Sequence, residues 1–433
     1  MDTICAVSTA VGNGGVAIIR VSGENARAVA SAAFAKLKNE VKPRYAIFGE
    51  LCFEGVRDEA LALYFPAPNS FTGEDVVELQ IHGGYYLAQS LVRFLIKNGA
   101  RLAENGEFSK RAVMNGRMDM SKAEGIIDLI NANSESQLRA GSGLLAGAMT
   151  KFVSVLQDEL TEMMCEVNVA LDYPEHDIEY ITATKIAKKC EEIIQKIDQK
   201  LATADTGMLV KNGVNVVLAG KPNAGKSSLL NQLLGYERAI VTDIAGTTRD
   251  TVSESFEYRG VRFNLIDTAG LRDTMDMVES AGIERARREI DHADIVVALF
   301  DPIDDNAEQI EGKNIIKVLN KIDLKIATKI KADIAISART GENVDALKEM
   351  IFDRTINSEV LLNGDFLTNT RHIERLKEAR EALVDTVQNC STATLDCLAV
   401  TLMQAWNKLG EITGETANEK ILNEIFARFC LGK

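Results

Sequence analysis

The sequence lacks any apolar run long enough to cross a membrane. Nowhere do its 433 residues approach the roughly 18 consecutive apolar residues that a membrane-spanning helix needs. The N-terminal segment Met1-Asp2-Thr3-Ile4 carries an acidic residue where a secretory signal carries basic ones. We therefore expect a cytoplasmic protein that does not engage a membrane.

Cysteine and histidine are sparse and scattered. The seven cysteines, at positions 5, 52, 165, 190, 390, 397 and 430, are odd in number and never form a CxxC pair. The four histidines lie far apart along the chain. Such spacing predicts neither a disulfide framework, nor a zinc site, nor a histidine-based catalytic cluster.

Basic charge is also in deficit. The chain carries 49 basic and 63 acidic residues, for a formal net charge of −14. Neutralisation of phosphates drives general nucleic-acid binding, so a broad RNA-binding surface is not expected. An RNA substrate would have to meet a local patch, or a surface completed by a partner protein.

The length and the changing periodicity predict several domains, since 433 residues exceed what one hydrophobic core usually holds. Residues 1–117 alternate strand-like runs (16–19, 61–65 and 76–81) with turns, and add helices over 24–38 and 85–97. This pattern is typical of an α+β domain.

Helical periodicity dominates residues 118–212 and 357–433. Neither block forms a good core alone, so we predict one discontinuous helical domain built from both. Residues 213–356 would be inserted at one of its loops, with Gly207, Gly213 and the stretch 362–365 as hinges.

The inserted segment opens with a phosphate-binding loop. A strand over 215–219 leads into the pattern G-x-x-x-x-G-K-S at 220–227, and a helix comes next. Main-chain N–H groups and the helix N-terminus would hold phosphates, Lys226 would reach the β- and γ-phosphates, and the Ser227 hydroxyl would ligate Mg²⁺. The nucleotide-contacting residues predicted here are Asn223, Ala224, Gly225, Lys226, Ser227 and Ser228.

Two further elements fit the switch loops of a GTPase. Asp267 ends the predicted strand 261–266 and would hold Mg²⁺ through water, while the Gly270 N–H would contact the γ-phosphate. Upstream, Thr248 would ligate Mg²⁺ from a loop that orders around it. Thr242 and Thr247 of that loop are also assigned to nucleotide binding.

The base is predicted to be guanine. Asn320-Lys321-Ile322-Asp323 comes directly after the strand Ile315–Leu319. The Asp323 carboxylate can accept hydrogen bonds from the N1–H and exocyclic amine of guanine, an arrangement that adenine does not offer. The loop Ser337-Ala338-Arg339 would support the base through main-chain amides. The five elements in order predict a Ras-like P-loop GTPase.

The group that orients the attacking water is not the usual glutamine, since Leu271 stands at that position. Arg272 is either a catalytic finger or a solvated loop residue. Glu279, in the acidic stretch 273–279, is the candidate to act on water.

The chain resembles the MnmE (TrmE) tRNA-modification GTPases over essentially its whole length. The motifs that carry this resemblance are GKPNAGKS at 220–227, IVTDIAGTTRD at 240–250, DTAGLR at 267–272, GGVAIIRVSG at 14–23, FTGEDVVELQIHGG at 71–84, GEFSKRA at 106–112 and FCLGK at 429–433. The last four are not shared by GTPases in general.

The resemblance implies a K⁺-stimulated hydrolysis in which the G domains of a dimer meet across their switch loops. The K⁺ would take the place of an arginine finger, and Glu279 matches the family's water-orienting glutamate. The positions that match the family's K⁺ ligands are Asn223, Thr242, Ile244 and Thr247.

The resemblance also assigns residues 1–117 to dimerisation and to a tetrahydrofolate derivative, either 5-formyl or methylene. The matching folate positions are Arg20, Glu78, Arg117 and Lys433. Cys430 matches a cysteine with a proposed catalytic role, and a buried, inert thiol is the alternative.

The function implied by the resemblance is a GTP-driven step in tRNA modification. With an FAD-dependent partner of the MnmG type, in a heterotetramer or larger assembly, the family adds a carboxymethylaminomethyl-type group to C5 of the wobble uridine. A ribosome-assembly GTPase is the alternative. Such GTPases usually carry a basic RNA-binding appendage, which the acidic helical segment after residue 356 does not resemble.

Overall fold

The computed structural model describes residues 2–10, 12–172, 183–235, 254–267, 290–303, 314–327, 330–416, 419–427, 429, 430 and 432. The chain forms two compact units. One comprises Met1–Ile127, Met149–Glu162 and Trp406–Lys433, and the other comprises Asp128–Ala148 and Met163–Ala405. The domain boundaries at residues 117, 212 and 356 stay predictions.

The first unit contains a mixed sheet. Its strands are β1 (Ile4–Val7), β2 (Val16–Ser22), β3 (Ile47–Phe53), β4 (Val56–Phe65), β5 (Val76–His82) and β6 (Arg101–Leu102), in the order β3-β4-β5-β2-β1-β6. Only β1 and β6 pair in parallel among these neighbours. Ala17, Ile19 and Val21 of β2 are buried at alternate positions, so one face packs on the core. The strands predicted over 16–19, 61–65 and 76–81 are confirmed.

The helices near this sheet are Ala26–Ser31, Tyr85–Lys97 and Glu107–Met114, with a 3-10 helix at Ala35–Lys38. The helix predicted over 85–97 is confirmed, whereas the continuous helix over 24–38 is wrong. The chain leaves the helix after Ser31, because the carbonyl of Ala33 accepts a hydrogen bond from Cys52 N at 2.8 Å. This turn also buries Phe34 completely.

Helices make up most of the chain between and after the two sheets. They are Met120–Ile130, Glu135–Leu145, Ala148–Asp172, Ala183–Leu201, Ala204–Asn212, Lys226–Leu234, Val344–Thr355, Ser358–Asn363, Thr370–Asn389, Leu395–Thr413 and Glu419–Phe426. Among the helices that the structure describes, none combines the length and the apolar composition of a membrane-spanning segment.

Helices from before and after the inserted domain pack together in the second unit. Ala183–Leu201 contacts Thr370–Asn389, with Ile193 and Leu383 buried and Arg380 hydrogen-bonded to Asp198. The helical part is therefore discontinuous in sequence, as predicted.

Gly207 lies inside a helix, so the hinge predicted there is wrong. Its N–H donates to Thr203 O at 3.0 Å, within the helix Ala204–Asn212 and its N-cap. A Cβ at Gly207 would lie 1.9 Å from the carbonyl oxygen of Leu367. This glycine is needed for close packing of two chain segments.

The second unit holds a sheet of the doubly wound type. Its strands are β7 (Val214–Ala219), β8 (Glu254–Tyr258), β9 (Val261–Asp267), β10 (Ile295–Phe300), β11 (Ile315–Leu319) and β12 (Ile334–Ala335), in the order β12-β11-β10-β7-β9-β8. All neighbours are parallel except β8 and β9. The predicted strands in this segment are confirmed, and the carboxyl ends of β7, β9, β10 and β11 lie at the same edge of the sheet.

The β8–β9 hairpin is anchored at its turn by the helix Glu135–Leu145. Ser136 N donates to Gly260 O at 3.0 Å. The next residue, Gln137, donates through Nε2 to Val210 O at 3.1 Å and Lys211 O at 2.9 Å. This helix therefore binds both the hairpin turn and the chain that enters β7.

A buried arginine organises the charged residues of the first unit. The Arg111 side chain is 5% exposed and forms ion pairs with Asp2, Glu74 and Glu107 at 2.7 to 3.1 Å. Burial opposes ionisation of Glu107, but hydrogen bonds from Arg101 and Arg111 lower its pKa to about 2. A hydrogen bond from Arg101 lowers the pKa of Asp2 to about 2 as well, against the effect of burial.

Replacement of this arginine is expected to destabilise the first sheet. Arg111→Met takes the cation from the mostly buried Glu74 carboxylate and leaves Glu107 with Arg101 alone, which costs about 3–5 kcal/mol. Hydrogen exchange of the β1, β2 and β5 amides in the full chain measures this loss. Arg57→Met, at an exposed pair with Glu50, is the matched control and should cost less than about 1 kcal/mol. Equal protection in the two variants would contradict the role of Arg111.

The stabilisation is expected to depend on pH in a defined direction. Asp2 and Glu107 have lowered pKa values in the folded protein, so they stabilise it above their ordinary pKa values. This contribution is lost as the pH falls from about 5 to about 2. The difference in protection between wild type and Arg111→Met should shrink over that window, and a difference that persists at the acid end would argue against the assignment.

Candidate nucleotide-binding site

The loop between β7 and the helix Lys226–Leu234 has backbone geometry that requires glycine. Gly220 has φ +150°, Asn223 +67° and Gly225 +99°. A Cβ at Gly225 would lie 2.1 Å from Asn320 Nδ2, and one at Gly220 would lie 2.6 Å from Leu299 O. The two glycines therefore let the loop pass close to the ends of β10 and β11.

Lys226 lies beneath this loop. Its side chain is buried, and Nζ donates to the main-chain oxygens of Gly220 at 2.8 Å and Lys221 at 3.0 Å. Ser227 and Ser228 are exposed on the first turn of the helix, beside the exposed Asn223. An ammonium, main-chain amides and hydroxyls thus gather at one helix N-terminus, which suits phosphate groups.

Asn320 joins three loops of the site. Its side chain is 2% exposed, donates through Nδ2 to Ala224 O at 2.8 Å, and accepts at Oδ1 from Ala338 N at 2.9 Å. One amide therefore fixes the phosphate loop, the loop after β11 and the predicted base-supporting loop to one another.

Asp323 and Ser337 form the base-recognition side of the site. Ser337 is fully buried, and its hydroxyl donates to Asp323 Oδ1 at 2.7 Å. The same hydroxyl accepts from Thr340 N at 3.2 Å, while Arg339 is exposed. Asp323 is half-buried and held in place, as a carboxylate that accepts two hydrogen bonds from guanine has to be.

Asp301 lies beside the site and contacts it through Lys321, although no sequence motif singled it out. It comes directly after β10 and forms an ion pair with Lys321. Burial opposes ionisation of Asp301, but hydrogen bonds from Lys321 and from Ile303 N lower its pKa. The signal in the sequence was an acidic residue immediately after a buried strand, at the edge where the other site loops lie.

Several predicted site residues lie outside the described part of the chain. They are Thr242, Ile244, Thr247, Thr248, Gly270, Arg272, Glu279 and Lys433. The main chain of Asp267 ends β9, and its side chain lies outside the described part as well.

In the first unit, two of the predicted folate positions meet. Arg20 donates to Glu78 Oε1 from Nε at 3.0 Å and from a terminal nitrogen at 2.8 Å. Its guanidinium lies 5.0 Å from the ring centre of Phe71 and 5.7 Å from that of Phe108. The guanidinium is therefore held between a carboxylate and two aromatic rings.

Two other described residues assigned to this chemistry belong to the same unit. Arg117 donates through Nε to Ser70 O at 3.1 Å, and Ser70 precedes the phenylalanine that Arg20 contacts. Cys430 is exposed, and its main-chain oxygen accepts from Gly106 N at 3.3 Å. The alternative expectation for Cys430 was a buried, inert thiol, and the exposure of this residue does not agree with it.

Comparisons with known proteins cover the whole chain. A family model described as the MnmE helical domain matches residues 120–430, and one described as the GTP-binding protein TrmE N-terminus matches residues 3–117. The chain is 38% identical over 455 residues to the tRNA modification GTPase MnmE of Clostridioides difficile strain 630, covering 100% of this chain and 99% of the relative. It is 40% identical to that of Thermotoga maritima, covering 100% of both.

Among solved structures, the G domain of the T. maritima FeoB iron transporter is 30% identical. The match covers 33% of this chain and 98% of that one, with a TM-score of 0.24. The full-length relatives and both family models agree with the motifs and with the geometry of the nucleotide site. The chain belongs to the MnmE family of tRNA modification GTPases.

Proposed function

We propose that this chain is the GTP-hydrolysing component of a complex that modifies C5 of the wobble uridine in tRNA. It acts in the cytoplasm with an FAD-dependent partner of the MnmG type, and a folate one-carbon unit contributes to a carboxymethylaminomethyl-type group. The observation that carries the proposal is a guanine-type nucleotide site, built around Asn320 and Asp323, in a chain that matches tRNA modification GTPases end to end.

The charge of the chain supports a shared RNA surface. With a net charge of −14, the protein alone is a poor match for the phosphates of a tRNA. A homodimer formed through residues 1–117, joined to its flavoprotein partner in a heterotetramer or larger assembly, would let the partner supply most RNA contacts. GTP hydrolysis would then drive a conformational step, while the carbon chemistry proceeds elsewhere.

The donors at the phosphate loop suit hard cations. The exposed Ser227 hydroxyl stands on the first turn of the helix, and with Thr248 it would hold Mg²⁺, which neutralises phosphate charge when bound. The exposed amide of Asn223, with Thr242, Ile244 and Thr247, would hold K⁺, which supplies the charge of an arginine finger. Lys226 would bind the phosphates, Asp267 would hold Mg²⁺ through water, the Gly270 N–H would contact the γ-phosphate, and Glu279 would orient the attacking water.

Potassium dependence tests this arrangement. An arginine finger is worth about 10³-fold or more, so hydrolysis should be at least about tenfold faster in KCl than in NaCl. Asn223→Gly keeps the positive φ accessible but removes the amide oxygen, and should abolish the difference.

The matched control is Asn314→Gly. Asn314 also has a positive φ, but it comes directly before β11, whereas the site residue Asn320 comes directly after that strand. This variant should keep the full response to KCl. Equal rates of the wild type in the two salts would remove the K⁺ assignment and leave GTP hydrolysis standing.

The Arg20–Glu78 pair supports a folate site. A pterin edge needs a carboxylate acceptor, and the glutamate tail of a folate needs cations. Two of the five N–H donors of the Arg20 guanidinium donate to Glu78 Oε1. The remaining N–H groups of the guanidinium can donate to a ligand. Arg117 and Lys433 would add positive charge, and Cys430 is the candidate thiol.

Folate binding is expected to need the carboxylate of Glu78. Glu78→Gln should weaken 5-formyl-tetrahydrofolate binding about tenfold or more, because a charged acceptor is replaced by a neutral one. Calorimetry on the full chain measures this, with GTP hydrolysis unchanged. Glu50→Gln, at an exposed position of the same sheet, serves as the control. An unaltered affinity in Glu78→Gln would move the folate site elsewhere.

The modification itself is tested by nucleoside mass spectrometry of bulk tRNA from cells lacking this gene. C5-aminomethyl uridines should disappear and return with the wild-type gene, but not with Asp267→Ala, because the switch loop then loses its carboxylate. Immunoblotting establishes equal protein levels. Unchanged nucleosides, especially with accumulating ribosomal subunits, would instead favour a ribosome-assembly GTPase.

A further inference from the structure

We propose that Asp301 is a positioning residue for guanine recognition, which holds the ammonium of Lys321 away from the base-reading carboxylate of Asp323. The inference rests on GTP binding alone and is independent of the tRNA reaction proposed above. It concerns a residue outside the five nucleotide motifs.

The topology of the sheet brings the pair together. β10 and β11 are parallel neighbours, with Phe300 opposite Leu319 at their carboxyl ends. Asp301 comes directly after the first of these ends, and Lys321 lies two residues beyond the second. Two residues that are 20 positions apart in sequence therefore emerge side by side at the edge where the nucleotide site is built.

The carboxylate of Asp301 is fixed from two sides. Its Oδ1 accepts from Ile303 N at 3.0 Å, and its Oδ2 accepts from Lys321 Nζ. The Asp301 side chain is 17% exposed and that of Lys321 is 29% exposed. A pair that is mostly removed from water, with one partner anchored by the main chain, holds its geometry better than an exposed ion pair does.

Lys321 needs such a partner because it stands close to Asp323 in the chain. Its backbone is in the left-handed region, with φ +65°, immediately before the 3-10 helix Ile322–Leu324 that carries Asp323. Asp323 already accepts from Ser337 Oγ at 2.7 Å, and guanine needs its remaining lone pairs. An ammonium released by the loss of Asp301 would compete for this carboxylate with the N1–H and amine of the base.

The test is nucleotide binding by Asp301→Asn in the full chain. GDP should bind about two- to fivefold more weakly, the range expected for a partly exposed pair, while kcat at saturating GTP stays within about twofold. The ratio of the affinity for GDP to the affinity for inosine diphosphate should also fall. Inosine diphosphate lacks the exocyclic amine of guanine, so it forms one hydrogen bond fewer with Asp323 and loses less when that carboxylate is occupied. A fall in kcat with unchanged GDP affinity would overturn the proposal.

A second variant separates positioning from folding. In a Lys321→Met background no ammonium remains to be held, so adding Asp301→Asn should change GDP affinity less than about twofold. Asp301→Glu should restore part of the wild-type affinity. Asp333→Asn is the matched control, since Asp333 accepts from Lys317 N and pairs with Arg354, and should bind GDP as the wild type does. The same loss from Asp301→Asn with and without Lys321 would contradict the proposal.

Discussion

The nucleotide site depends on one buried amide. Asn320 donates to the main-chain oxygen of Ala224 in the phosphate loop and accepts from the main-chain N–H of Ala338 in the base-supporting loop. Loss of the Asn320 amide would leave these buried main-chain groups without that hydrogen bond, at a cost of about 1–3 kcal/mol each. Gly225 is glycine because this amide occupies the space that a Cβ would need. Phosphate binding and base recognition are therefore coupled through one neutral side chain, which does not titrate in the physiological range.

The sequence located the strand, the loop and the helix of the phosphate-binding motif because that motif is local. A strand, a loop and a helix succeed one another within residues 214–234, and parallel strands bring the loops to one edge of the sheet. Asp301 escaped prediction because its importance comes from the pairing of β10 with β11, and strand order is not written in any local pattern. Its partner Lys321 was found only as part of a motif.

In the first unit, too, local sequence patterns missed features that depend on contacts between distant segments of the chain. Alternation of apolar residues located β2, β4 and β5, but an alanine-rich stretch concealed the break after Ser31, which depends on a hydrogen bond to Cys52 in a distant strand. In the second unit, Gly207 suggested a hinge from the sequence, whereas its role is set by the approach of Leu367. The cluster around Arg111 joins residues 2, 74, 107 and 111. Such long-range contacts override local propensity.

The hairpin of β8 and β9 has a geometric consequence for communication between the nucleotide and the helices. Its turn is bound to Ser136, and the far end of β9 is Asp267. A strand of seven residues spans roughly 23 Å and, held by hydrogen bonds on both sides, does not lengthen. Because its pairing with β7 and β8 fixes the length of this strand, the Asp267 end of β9 and the turn bound to the helix Glu135–Leu145 keep a constant separation along the sheet.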